Sequence, residues 1–186
     1  MPSFENLTLP TPRLRLRPLR PDDATALFEM FSDASVMRYW SSLPWTTPEP
    51  AQAMIARDQA AMASGEQLRL GLETIADGAL IGQCTLFSIS TPCRRAEIGY
   101  SLRASAWGQG YMHEALQALV GYGFTSMQLN RIEADIDPRN HASARSLQRL
   151  GFTLEGHLRE RWIVGDEVSD TALYGLLQRE WAAARG

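Results

Sequence analysis

A short turn, Trp107-Gly108-Gln109-Gly110-Tyr111-Met112, stands between a strand-like run and a helical pattern. The run before it, Ala96-Glu97-Ile98-Gly99-Tyr100-Ser101-Leu102, has the apolar and aromatic character of a strand. Beyond it Met112, Leu116, Leu119, Val120 and Phe124 recur at helical spacing. Strand, glycine turn, helix is a geometry in which free N–H groups at a helix start converge on an anion, and the helix dipole favours the same charge. A phosphate is the natural guest. A dinucleotide fingerprint fails because His113 stands where the third glycine belongs, and a P-loop fails because the chain contains no lysine. A tight turn with purely structural glycines is the plain alternative.

A second window is Asn140-His141-Ala142-Ser143-Ala144-Arg145-Ser146-Leu147-Gln148-Arg149-Leu150-Gly151-Phe152. It follows an alternating strand, Arg131 to Ile136, which Asp137-Pro138 stops. Asn140 opens the helical pattern, with Ala144, Leu147 and Leu150 inward and Gly151 at C′. Glu97, a carboxylate inside a strand, is either an outward solvated group or a functional one. His113, His141 and His157 make no metal-ligand spacing, so no metal site is expected.

Taken together, Ala96 to Tyr100, Trp107 to Tyr111 and the Asn140 to Phe152 window resemble the acetyl-CoA site of the GNAT N-acetyltransferase superfamily. The tail, from Leu154-Glu155-Gly156-His157 through Gly165-Asp166-Glu167 to Glu180-Trp181, is similar to the Rim-type branch, which holds the ribosomal-protein-alanine N-acetyltransferases. The resemblance runs from about Leu14 to Trp181. It implies an α/β fold: a mixed, mostly antiparallel sheet of about seven strands, helices on both faces and a splayed central strand pair. It implies acetyl-CoA as co-substrate, its pyrophosphate on the amides of Trp107, Gly108, Gln109, Gly110, Tyr111 and Met112. The backbone of Tyr100, Ser101 and Leu102 would hold the pantetheine arm, and Asn140 would steady it. Tyr39, Trp40 and Trp45 fall where the family builds its acceptor wall; ordinary core or rim aromatics are the alternative.

The departures bear on mechanism. Many members carry a tyrosine acid seven residues after the asparagine, and here that residue is Leu147. In the Rim-type branch a serine three residues after the asparagine is implied instead, and Ser143 matches; a first-turn serine bonded to its own backbone is the alternative. Glu97 matches the strand glutamate that serves the family as base, directly or through water. The resemblance implies transfer of acetyl to a primary amine by direct attack, a protein N-terminal α-amine first. A small-molecule amine (aminoglycoside, polyamine or amino acid) or an inactive acetyl-CoA-binding protein remains open.

The rest of the chain must position these groups. A length of 186 residues suits one domain, 1–186, and 45% hydrophobic with 21% charged residues is ordinary for a globular protein. No apolar run approaches the roughly 18 residues of a membrane span, and Met1-Pro2-Ser3-Phe4-Glu5 does not open a signal peptide, so a cytoplasmic protein without a membrane partner is expected. A net charge of −3 gives no reason to expect nucleic acid, and Arg13, Arg15, Arg17 and Arg20 read as one solvated strand face. Cys84 and Cys93 read as free thiols. A homodimer stays open. Arg13 to Arg17 alternates as a strand, Asp22 is the expected cap of the next helix, and Thr47-Pro48 opens another that Gly65 closes. Leu68 to Ile75 and Ala79 to Ile89 read as strands joined at Asp77-Gly78 by a two-residue hairpin turn. A final hairpin turns at Gly165-Asp166 before a short terminal helix.

Overall fold

The computed structural model describes residues 3–184. Eight strands form one sheet: β1 (Leu9–Pro10), β2 (Leu14–Arg17), β3 (Leu68–Thr74), β4 (Leu80–Ser90), β5 (Arg95–Leu102), β6 (Arg131–Ile136), β7 (Thr153–Val164) and β8 (Glu167–Leu177). Their spatial order is β1-β2-β3-β4-β5-β6-β8-β7. The strand beyond the expected seven is β1, two residues laid against β2. All neighbours are antiparallel except β5 and β6. That parallel pair needs a crossover, and helix α4 (Tyr111–Thr125) supplies it.

Alternation along the strands builds the core. Leu68, Leu70, Cys84, Leu86, Ala96, Ile98, Ile132 and Ala134 form a cluster with Leu116, Leu119 and Phe124 of α4 and Leu147 of helix α5 (His141–Arg149). A second cluster joins Leu19 and Leu80 to helices α1 (Ala24–Ser32), α2 (Ala34–Met37) and the first turns of α3 (Glu49–Ser64). Gly65 closes α3 in the left-handed region, at φ 75°. A terminal helix α6 (Gln178–Ala183) follows β8 directly. Cys84 is buried, which pushes its thiol up to about 12, and both cysteines are free.

Three local expectations are corrected. Asp77-Gly78 does not make a two-residue turn: Thr74 and Ala79 pair across a four-residue loop in which Gly78 alone takes positive φ, 72°. The Asp77 carboxylate instead caps the loop, accepting from the Thr74 hydroxyl and the Ala79 N–H. Asp22 does not cap the first helix; Asp23 accepts from the Arg20 N–H at 2.6 Å. The arginine face is solvated except at Arg17, which is 5% exposed. Its guanidinium grips Asp23 bidentately at 2.8 and 2.9 Å, and its Nε donates to Glu73 at 2.5 Å. The segment entering α1 folds over the end of β2, so this one charge is taken out of water and must be paired.

Burial works against ionisation of Asp23, but the Arg17 fork and the Arg20 N–H outweigh it and hold the carboxyl below its ordinary 3.8. A depressed carboxyl contributes stability above its unfolded pKa and loses it as pH falls through the folded value. Arg17→Ala leaves the buried Asp23 carboxylate without its ion-pair partner, while Glu73 keeps Arg15 at 3.1 Å, and is expected to destabilise by about 3 kcal/mol in urea unfolding at neutral pH. The same variant should lose much less, relative to wild type, when unfolding is measured below the folded pKa of Asp23, where the carboxyl is neutral in both proteins.

Candidate active site

The pairing of β5 with β6 covers three residue pairs, Arg95 with Arg131, Ala96 with Ile132 and Glu97 with Glu133, and then stops. Both strands continue past that point, to Leu102 and Ile136, but they diverge. A cleft of about 700 Å³ opens at the divergence. Glu97 to Tyr100 form its spine; Asp135 to Asp137, Arg139, Asn140 and Ser143 line one side, and Met37 to Pro44 the other. Phe87, Arg161 and Trp162 also reach it.

Past the end of β5, beyond the residues that line the cleft, comes the glycine turn. After Leu102 the chain makes a single 3₁₀ turn over Ala104–Ala106 and then runs to Gly110, which caps α4 at φ 79°. A Cβ on Gly110 would meet Arg13 Nη2 at 3.5 Å, an ordinary contact, so glycine is required by the left-handed backbone rather than by crowding. The N–H groups of Gly110, Tyr111, Met112 and His113 have no acceptor among the described residues. Four converging free amides at a helix start suit an anion. Trp107 donates its indole N–H to the Leu102 carbonyl at 2.7 Å, and Gln109 donates to Ser105 O at 3.1 Å. These bonds give the turn its shape without using the helix-start amides.

Arg13 and Glu114 brace the turn, and neither was marked by the sequence reading. The Arg13 guanidinium lies 4.4 Å from the Tyr111 ring centroid and donates to Gln109 O at 2.9 Å and to Glu114 at 2.7 Å. Glu114 also accepts from the Thr11 hydroxyl at 2.6 Å and the Arg13 N–H at 2.7 Å. Desolvation opposes its ionisation, but these donors hold its carboxyl below the ordinary value. The first strands are thereby fastened to the start of α4.

In the cleft itself stand the groups with chemistry. Glu97 is part-exposed and lines the cleft, and its carboxylate has no hydrogen bond or ion pair among the described residues. Asn140 caps α5: its Oδ1 accepts from the Ser143 N–H at 3.1 Å. Ser143 is buried, and its hydroxyl meets that of Tyr100 at 2.6 Å rather than a backbone group of its own helix. Tyr100 entered the sequence reading through its backbone alone; its place in alternation with Ile98 was the available signal. Burial pushes its phenol up to about 12, ahead of the opposing bond to Ser143. Ser101 turns away from the cleft, its hydroxyl 3.6 Å from Met30 sulfur. Leu147 is fully buried in the core.

The aromatic segment divides. Tyr39 and Trp40 line the cleft, whereas Trp45 stacks on Phe31 at 4.7 Å and does not reach it. Trp40 meets the edge of the same ring at 5.2 Å. Trp162, from the far hairpin, donates toward Asp135 at 3.3 Å; it lies between the stretches of the tail that carry the family resemblance and was not singled out there. Among the described residues no group of three or more acidic, histidine or cysteine side chains is placed to hold a metal.

With that geometry in view, residues 13–153 match the family model described as "Acetyltransferase (GNAT) domain". The chain belongs to this family and is an N-acetyltransferase. It is 38% identical over 175 residues to the uncharacterized N-acetyltransferase p20 of Bacillus licheniformis, covering 94% of this chain and 98% of that one. It is 26% identical over 171 residues to the spermidine N(1)-acetyltransferase of Escherichia coli strain K12, covering 91% and 89%. Among solved structures, a GNAT-family acetyltransferase from Bacillus anthracis superposes with a TM-score of 0.84 at 27% identity, covering 94% of this chain and 100% of that one.

If the four helix-start amides hold the pyrophosphate of the family's donor, Gly110→Val should weaken acetyl-CoA binding at least tenfold, about 1.4 kcal/mol, because valine cannot hold φ near 79°. Calorimetry on the folded variant checks this; unchanged affinity would move the pyrophosphate elsewhere.

Proposed function

We propose that the protein acetylates a primary amine bearing one positive charge on a largely uncharged body, a protein N-terminal α-amine first, by direct attack on acetyl-CoA. The observation that carries this reading is the charge state of the cleft. Of its four lining carboxylates, three are engaged. Asp137 and Glu167 are held by Arg139, the latter at 2.6 Å, and Asp135 faces Arg161 at 3.7 Å. Glu97 alone among them has no partner. One free carboxylate between the aromatic surfaces of Tyr39, Trp40, Phe87 and Trp162 suits a single ammonium beside a peptide-like chain. A polyamine, the substrate in the name of one relative, carries several charges and would ask for several free carboxylates.

Each group has a defined task in this reading. The amides of Gly110 to His113 bind the pyrophosphate, and the unpaired edge of β5 near Tyr100 takes the pantetheine arm, with Asn140 at its side. The ammonium form of the acceptor is not nucleophilic, so Glu97 takes its proton, directly or through water, before nitrogen attacks the thioester carbon. A backbone N–H of β5 meets the developing oxyanion. The thiolate leaves toward Ser143. A terminal amine with a pKa near 8 needs modest help at neutral pH, a lysine near 10.4 much more.

Two measurements test this. In a CoA-release screen, peptides with free N-termini should exceed spermidine in kcat/KM by at least tenfold; a preference for spermidine of that size would reverse the assignment. Glu97→Gln should lower kcat at neutral pH and leave acetyl-CoA affinity intact, with the deficit shrinking as pH rises past the pKa of the amine. A uniform deficit at every pH would make Glu97 a positioning group instead.

A further inference from the structure

Tyr100 and Ser143 reach one another across the divergence of the two central strands, one from β5 and one from the first turn of α5. Their oxygens are 2.6 Å apart. At this distance one hydroxyl donates to the other, and either could be the donor. A phenol is the more acidic of the two and therefore the better donor, whereas an aliphatic hydroxyl is the better acceptor. With Tyr100 donating, Ser143 Oγ accepts and its own proton is free to point into the cleft. With Ser143 donating, the serine proton is used within the pair, and the phenol proton has the Ser143 carbonyl at 3.4 Å as an acceptor. Asn140 fixes the Ser143 backbone through its N–H, so the hydroxyl cannot swing out with the helix start.

We propose that Tyr100 is a positioning residue that makes Ser143 a one-way hydrogen-bond donor to the sulfur of CoA, the task for which Leu147 leaves no side-chain hydroxyl. The inference rests on the placement of the thioester in the cleft beside Ser143 given above. When the carbon–sulfur bond breaks, its electron pair goes to sulfur, and the Ser143 O–H donates a hydrogen bond to the resulting thiolate. No proton need leave the hydroxyl pair; the thiolate takes one from solvent after release. Tyr100 stays a neutral phenol and so remains a donor, because burial has moved its ionisation well above neutral pH. Chained donors polarise one another, so the bond from Ser143 is strengthened by the bond it accepts.

The test uses product CoA bound to the intact protein, with no acceptor present. The acidity of its thiol is followed by thiolate absorbance in wild type, Tyr100→Phe, Ser143→Ala and the double variant. The charged groups lining the cleft, Glu97, Asp135, Asp137 and Glu167 with Arg38, Arg69, Arg139 and Arg161, are the same in all four. The bound thiol should be about tenfold more acidic in wild type than in Tyr100→Phe, the scale of a hydrogen bond to a charged group. Ser143→Ala should lose as much or more, and adding Tyr100→Phe to it should change nothing further. Turnover with acetyl-CoA should follow the same pattern in kcat, with KM for acetyl-CoA unmoved in Tyr100→Phe. A wild-type acidity in Tyr100→Phe beside a loss in Ser143→Ala would overturn the role of Tyr100 alone. A further loss in the double variant would show that Tyr100 acts without Ser143 and would also overturn it. Unchanged acidity in Ser143→Ala would overturn it together with the placement of the thioester.

Discussion

The site depends on a ladder that ends early. Three residue pairs join β5 to β6, and after Glu97 and Glu133 the strands part. Backbone groups in a sheet are normally paired, so a strand edge left open in the middle of a protein is available to another extended chain. In the reading proposed above, that extended chain is the pantetheine arm of acetyl-CoA. The same divergence sets Glu97, Tyr100 and Ser143 around one cleft, although they lie on different elements. A continued ladder would leave no cleft and would keep Tyr100 from reaching Ser143.

The ion pairs of the molecule divide between those that hold this frame and those that tune the cleft. Arg17 with Asp23 and Glu73 is buried where the chain enters the first helix, and Arg13 with Glu114 ties the first strands to the start of α4. In the cleft, Arg139 and Arg161 take up three carboxylates. An exposed pair contributes little stability. In the proposed reading its effect is on recognition: it lowers the negative charge offered to an incoming amine and leaves Glu97 as the carboxylate without a partner.

Much of this was legible along the chain because it is local. A strict alternation such as Arg131 to Ile136 fixes a strand, and glycine before a helical period fixes a turn into a helix start. Asn140 as cap, Gly65 and Gly151 as helix ends, and the hairpin at Gly165 follow from the same short-range chemistry. The two-residue turn at Asp77-Gly78 failed although the dipeptide was right, because the Asp77 side chain bonds Thr74 and Ala79 and lengthens the loop.

Sequence by itself determined the order of elements, the alternation that buries one face of strands such as β5 and β6, and the glycine turn that frees helix-start amides. Each depends on residues within a few positions of one another, where backbone sterics and period decide. Tertiary structure decided that Arg17 is buried while Arg15 is not, and that Trp40 lines the cleft while Trp45 packs behind it. It also decided that the Tyr100 hydroxyl meets Ser143, 43 residues away. Those outcomes turn on which surfaces of distant elements meet and on how far two strands part. No local pattern of residues carries either quantity, because packing between elements sets both.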